Sequence, residues 1–142
     1  MKPRVIDASV VATAFFHEPD AGAANALLQS DAELHAPDLI HAELANIIWK
    51  RHRRSEITDS EAADLLADFL HLPLRITPCS DLAQMALQFA LQTGCTAYDC
   101  LYLALAVRCE GALITSDRRL VNTLAHSPLQ GHVAWIGSYR RK

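Results

Sequence analysis

Residues 96–115 read TAYDCLYLALAVRCEGALIT. From Thr96 to Val107 the run is helical and apolar nearly all round, with Asp99 its only charge. A helix of that kind is buried. The last four residues, Ala112 to Thr115, read as a short strand. A buried helix feeding a short apolar strand is the repeating unit of an α/β domain, and the rest of the chain supplies more of them.

Working outward, Arg4 to Asp7 reads as a β-branched strand, followed by an Ala-rich helix over Ala8–Phe16 that stops near Pro19. Ala21–Gln29 continues as helix, and Glu33–His35 is a brief strand before Pro37. His41–Arg54 is a helix with Ile40, Leu44, Ile47 and Ile48 on one side and a polar stripe of Glu43, Asn46, Lys50, Arg53 and Arg54 on another. Asp59–Leu70 opens with Thr58 as cap and Glu61 three residues on, a capping-box spacing. Its apolar residues follow the 3.6-residue period. Leu74–Thr77 is a strand, Asp81–Thr93 a helix ended by Gly94, Arg118–His126 a short helix and Val133–Ile136 a last strand. Strands alternating with helices predict a mostly parallel sheet flanked by helices, a three-layer α/β domain. With no linker or repeat, the expectation is one domain over residues 1–142.

Composition agrees. The chain has 142 residues, 51% hydrophobic and 20% charged, ordinary globular usage that excludes fibre, coiled coil and disordered tail. A net charge of −3 offers no global positive field, so any nucleic-acid role rests on local patches. The four cysteines form no CxxC pair and read as buried thiols of a reduced compartment. No run of 18 apolar residues exists, and the opening MKPRVIDAS lacks signal-peptide pattern. The expected location is the cytoplasm, without a membrane segment.

Ligand sites of open α/β sheets lie beyond the carboxyl ends of the strands. Asp7 closes the first strand and Asp117 follows the strand Leu113–Thr115, so connectivity alone sends both to the same edge. Asp99 needs a partner if it is ionised beside so apolar a run, although a capping Asp in a first helical turn is also stabilised by the dipole. Glu43 lies near a helix start on the polar stripe, where a plain solvated Glu is equally at home. Asp38 reads as a cap for the helix that follows. Carboxylates gathered in one pocket repel by about 4 kcal/mol per pair at 4 Å and an effective dielectric near 20. They either hold protons or bind a cation, and hard oxygen donors suit Mg²⁺ or Mn²⁺.

In order along the chain, VIDASV with Asp7, PDLIHAELAN with Glu43, TAYDCLYLALA with Asp99 and LITSDRRL with Asp117 resemble the motifs of the PIN-domain family. Within that family the chain is most similar to the VapC-type toxins of bacterial toxin–antitoxin pairs. The resemblance spans nearly the whole chain. It implies a metal-dependent endoribonuclease in which Asp7, Glu43, Asp99 and Asp117 hold Mg²⁺ or Mn²⁺, directly or through water. It implies supporting roles for Ser9 and Thr115, and hydrolysis by metal-activated water that leaves a 5′-phosphate and a 3′-hydroxyl. It also implies a homodimer and a small VapB-type antitoxin that wraps the toxin and reaches its acidic site with a basic side chain.

RNA contacts are expected from Lys50, Arg53 and Arg54 on the Glu43 stripe and from Arg118 beside Asp117, with Arg119 similarly placed. The basic run also reads as a solvated helix end that complements the dipole. Arg140, Arg141 and Lys142 form a basic tail. Aromatics make up only 6% of the chain, too few for an extended base-stacking platform. Ser116 and Cys100 adjoin acids without a chemical role legible in the sequence. There is no HExxH, no P-loop and no GxSxG elbow. A haloacid-dehalogenase-type phosphatase would want an acid where Ser9 stands, and a receiver domain would want paired acids at the first strand and a late lysine. A catalytically silent RNA- or protein-binding module of the same fold is the alternative from a different class.

Overall fold

The computed structural model describes residues 3–139, and the basic tail Arg140–Lys142 lies outside them. The elements follow the sequence closely: β1 (Arg4–Ile6), α1 (Ala8–Phe15), α2 (Ala21–Leu28), β2 (Leu34–Pro37), α3 (Leu39–Arg53), α4 (Asp59–Leu70), β3 (Leu74–Thr77), α5 (Ala83–Thr93), α6 (Ala97–Arg108), β4 (Ala112–Thr115), α7 (Arg118–Leu124) and β5 (Val133–Trp135).

The five strands form one parallel sheet in the order β3-β2-β1-β4-β5. Right-handed crossovers put α1–α4 over one face and α5–α7 over the other. The packing agrees, since α1 lies on α3, α3 on α4, and α6 against β1, β2 and β4. The chain runs outward from β1 in one direction through β2 and β3, then returns to β4 and leaves in the other. The order therefore reverses between β1 and β4, and the carboxyl ends of those two strands flank the crevice where α/β sheets bind ligands.

The core explains the elements. Val5 and Ile6 of β1, Leu113 of β4 and Leu103, Ala104 and Ala106 of α6 are fully buried. Six residues of the α6 run from Cys100 to Ala106 are buried, as its composition requires. The α4 capping box is present, with Glu61 N–H donating to Thr58 Oγ1 (3.1 Å) and Thr58 N–H donating to Glu61 Oε1 (3.0 Å). Gly94 ends α5 at φ 78°, a left-handed position that glycine adopts without steric cost.

Several boundaries move, each for a local reason. Asp7 leaves β1 and becomes the N-cap of α1. The strand read at Glu33–His35 runs Leu34–Pro37, because Pro37 keeps register with Thr77 of β3. The helix read from Asp81 starts at Ala83 after a 3-10 turn over Cys79–Asp81. The helix read from His41 starts two residues earlier, at Leu39. Asp38 takes the cap position but makes no side-chain cap bond. Its Oδ1 instead accepts the Cys79 N–H at 2.9 Å, tying the ends of β2 and β3 together. Among the described residues no helix is long and apolar enough to cross a membrane.

Candidate metal centre at the carboxyl edge of the sheet

Asp7 turns the chain from β1 into α1. Its Oδ1 accepts the Val10 N–H at 3.2 Å and the Ser9 hydroxyl at 2.5 Å. Ser9 Oγ also accepts the Ser116 N–H at 3.0 Å and lies 3.4 Å from Thr115 Oγ1. Thr115 is fully buried, and its hydroxyl accepts the Asp117 N–H at 3.1 Å. The Ser116 hydroxyl pairs with that of buried Thr13 at 2.8 Å. These bonds lock the β1–α1 turn to the β4–α7 turn. Asp117 caps α7, accepting the N–H groups of Arg119 (3.0 Å) and Leu120 (3.2 Å).

Glu43 stands in the first turns of α3 and Asp99 in the first turn of α6, where Thr96 Oγ1 accepts the Asp99 N–H. These helices come from opposite faces of the sheet, so their starts meet only beyond the strand ends. The buried Tyr102, one turn along α6 from Asp99, donates its hydroxyl to Glu43 Oε1. Sequence reading missed Tyr102 because a tyrosine in an apolar helix looks like core. The signal was chemical: a buried phenol needs a hydrogen-bond partner.

Electrostatics join the four acids. Burial pushes the Asp7 carboxyl from an ordinary 3.8 up to about 6, against the opposing pull of the bonds from Ser9, Thr115 and Val10, and the Glu43 charge adds to the rise. Burial also raises Glu43, with the Tyr102 bond opposing and the Asp99 charge adding. Asp99 is raised by burial and then by the charge of Asp117. The repulsion thus runs Asp7–Glu43–Asp99–Asp117, each acid feeling the next. The Tyr102 hydroxyl is driven far up by burial and by Glu43, so it stays a donor.

Among the described residues, no three Asp, Glu, His or Cys side chains close into a ready-made metal cage. The donor set nonetheless fits a hard divalent cation. Mg²⁺ keeps several waters and takes only one or two carboxylates directly, and a cation among these acids favours the charged carboxylates, opposing the burial that raises Asp7, Glu43 and Asp99.

The basic residues separate. α3 starts at the carboxyl edge and runs back along the sheet, so Lys50 and Arg54 stand about 10 and 16 Å along the helix from Glu43 at 1.5 Å per residue. Arg53 lies over the Trp49 ring, 5.4 Å from its centroid, and Arg54 approaches Glu56 at 4.0 Å. Arg51 turns aside to Glu18 and Glu56 and packs over Phe16. Arg118 adjoins Asp117 and covers the Trp135 ring at 4.2 Å.

The PIN domain model matches residues 4–124. The chain belongs to the PIN-domain family. Ribonuclease VapC3 of Pyrobaculum aerophilum is 34% identical over 118 residues, covering 82% of this chain and 90% of that protein. The PIN fold is also that of the crystal structure of PAE2754 from the same organism, with a TM-score of 0.72 and 21% identity over 96% of this chain and 85% of that one. VapBC2 of Rickettsia felis, solved bound to a DNA fragment from its promoter, gives a TM-score of 0.64 and 16% identity over 93% of this chain and 97% of that one. The matched range, residues 4–124, spans all four acids.

Proposed function

We propose that this PIN-domain protein is a divalent-metal-dependent endoribonuclease and the toxin of a toxin–antitoxin pair. The observation that carries the reading is the placing of four carboxylates at the topological switch point, Asp7 and Asp117 after β1 and β4 and Glu43 and Asp99 near the starts of α3 and α6, with Tyr102 bonding α6 to Glu43. The likeness to a ribonuclease over most of the chain supports RNA as the phosphodiester it cuts.

Asp7, Glu43, Asp99 and Asp117 are the residues that would hold Mg²⁺ or Mn²⁺, in part through water. The chemistry such an ion would supply there is Lewis-acid polarisation of the scissile phosphate and a lowered pKa for the attacking water. The chain's own groups prepare that site. Tyr102 holds the Glu43 carboxylate in one orientation, and Ser9 does the same for Asp7. Thr115 fixes the backbone that presents Asp117. Arg118 meets phosphates beside the metal, while Lys50, Arg53 and Arg54 meet phosphates farther along the strand.

The protein works in the cytoplasm as a homodimer under control of a VapB-type antitoxin. Leu87 (56% exposed) and Leu91 (79%) on one face of α5, with Tyr98 (63%), offer a second copy an apolar surface. The groove between α3 and α4, lined by Ala45, Ile48, Trp49 and Leu66, offers the antitoxin an apolar seat.

The test is incubation of the purified protein with total bacterial RNA and Mg²⁺ or Mn²⁺, followed by sequencing of new 5′-phosphate ends, with EDTA and Asp7→Asn as controls. Discrete cuts that need both metal and Asp7 are expected. Folded protein that binds RNA but leaves no metal-dependent ends would instead make it a silent binding module.

A further inference from the structure

Beside the acidic edge, α7 and β5 enclose a cleft of about 420 Å³ whose lining includes Arg118, Val121, Asn122, Ala125, Gln130 and Trp135. In register, Trp135 is the direct neighbour of Thr115, one strand spacing of about 4.8 Å away. Thr115 is the residue that holds the Asp117 backbone. Arg118, the next residue after Asp117, lays its guanidinium 4.2 Å over the Trp135 ring. The ring is seated against Gly137, where a Cβ would fall 2.2–2.4 Å from three of its carbons. An aromatic ring, a stacked cation and the acid site therefore stand within two residues or one strand of each other.

We infer that this cleft is a nucleobase subsite, which takes one unpaired base of the RNA strand flanking the scissile phosphate. The inference rests on the nuclease reading for its substrate class. Unpaired bases are recognised by stacking on aromatic rings or guanidinium planes, and Arg118, backed by the Trp135 ring, offers the outer face of its guanidinium to the cleft. Val121 and Ala125 give the apolar wall. Asn122 and Gln130 each carry an amide donor and acceptor, so the rim reads a base edge. Arg118 adds the positive charge that a phosphate-linked ligand requires. Of the two tryptophans, Trp49 belongs to α3 and lines the groove against α4, so Trp135 is the one that stands beside the acids.

The test uses the full chain in EDTA, where no cleavage takes place. The two tryptophan indole N–H signals are followed by NMR, assigned with Trp49→Phe, while each of the four nucleoside 5′-monophosphates is added. Ribose 5-phosphate serves as the baseless control. At least one nucleotide is expected to shift the Trp135 signal saturably and leave Trp49 in place. Arg118→Ala should weaken that binding about fivefold or more, in line with the loss of one stacking partner. Gly137→Val, which displaces the ring without removing it, should weaken it too. No saturable shift, or an equal shift with ribose 5-phosphate, overturns the subsite. Binding at Trp135 in a protein that cuts no RNA would retain the subsite and discard the nuclease reading, whereas RNA cleavage without any Trp135 response would do the reverse.

Discussion

Asp7→Asn separates what the acidic site does from what it costs. Burial holds the Asp7 carboxyl near a pKa of about 6, against 3.8 ordinarily. The fold thus favours the protonated form. Between pH 4 and 6 the native state binds more protons than the unfolded chain, so wild-type stability falls as pH rises through that window. The deficit is complete above pH 6. A shift of about two pH units at 1.36 kcal/mol each corresponds to about 3 kcal/mol. Asparagine has the shape of the protonated acid, and its carbonyl oxygen can still accept from Val10 N–H and the Ser9 hydroxyl. The metal-free variant should therefore be more stable than wild type by about 3 kcal/mol at pH 7.5, a rise of about 10 °C in Tm for a domain of this length. The advantage should shrink to nothing below pH 4. Urea unfolding in EDTA at a series of pH values measures both numbers. Mg²⁺ should narrow the gap at neutral pH by stabilising only the wild type, while RNA cleavage by the variant is lost. If Asp7→Asn is less stable than wild type at pH 7.5, or the difference does not change with pH, the carboxylate is not held in a penalised state and the reasoning fails.

Three further outcomes are expected. Tyr102→Phe keeps the ring but frees Glu43 of its donor, so the Mg²⁺ concentration for half-maximal cleavage should rise about tenfold or more, in the range seen when groups behind a metal ligand are removed; an unchanged metal titration refutes the positioning role. Lys50→Ala with Arg54→Ala should reduce the salt dependence of RNA binding by about one unit of slope per lost phosphate contact, and an unaltered slope returns that end of α3 to a solvated helix terminus. Thr58→Ala removes the reciprocal cap of α4 and should cost about 1 kcal/mol in chemical unfolding, with cleavage per folded molecule unaffected.

Much of the molecule is local, and what is local was legible. The period of Leu65, Leu66 and Phe69 marks α4, the Thr58–Glu61 spacing marks its start, and the nearly uninterrupted apolar run of α6 marks it as buried, because each signal arises among residues within a turn or two of one another. The ends of β1 and β4 could be read the same way, which is why Asp7 and Asp117 were placed on one edge. What the sequence left open depends on register and on packing across the sheet. Ser9 meets Thr115 and Ser116 across more than 100 positions. Tyr102 reaches Glu43 across 59, and Asp38 gives up its helix for Cys79. Arg53 and Arg54 share a stripe with Glu43 on a helical wheel, but the direction of α3 along the sheet takes them away from it. Trp135 stands beside the acidic edge only because β5 pairs with β4. A side chain's periodicity names its face; only the assembled sheet, with two layers of helices meeting beyond its strand ends, decides which other side chain that face will meet.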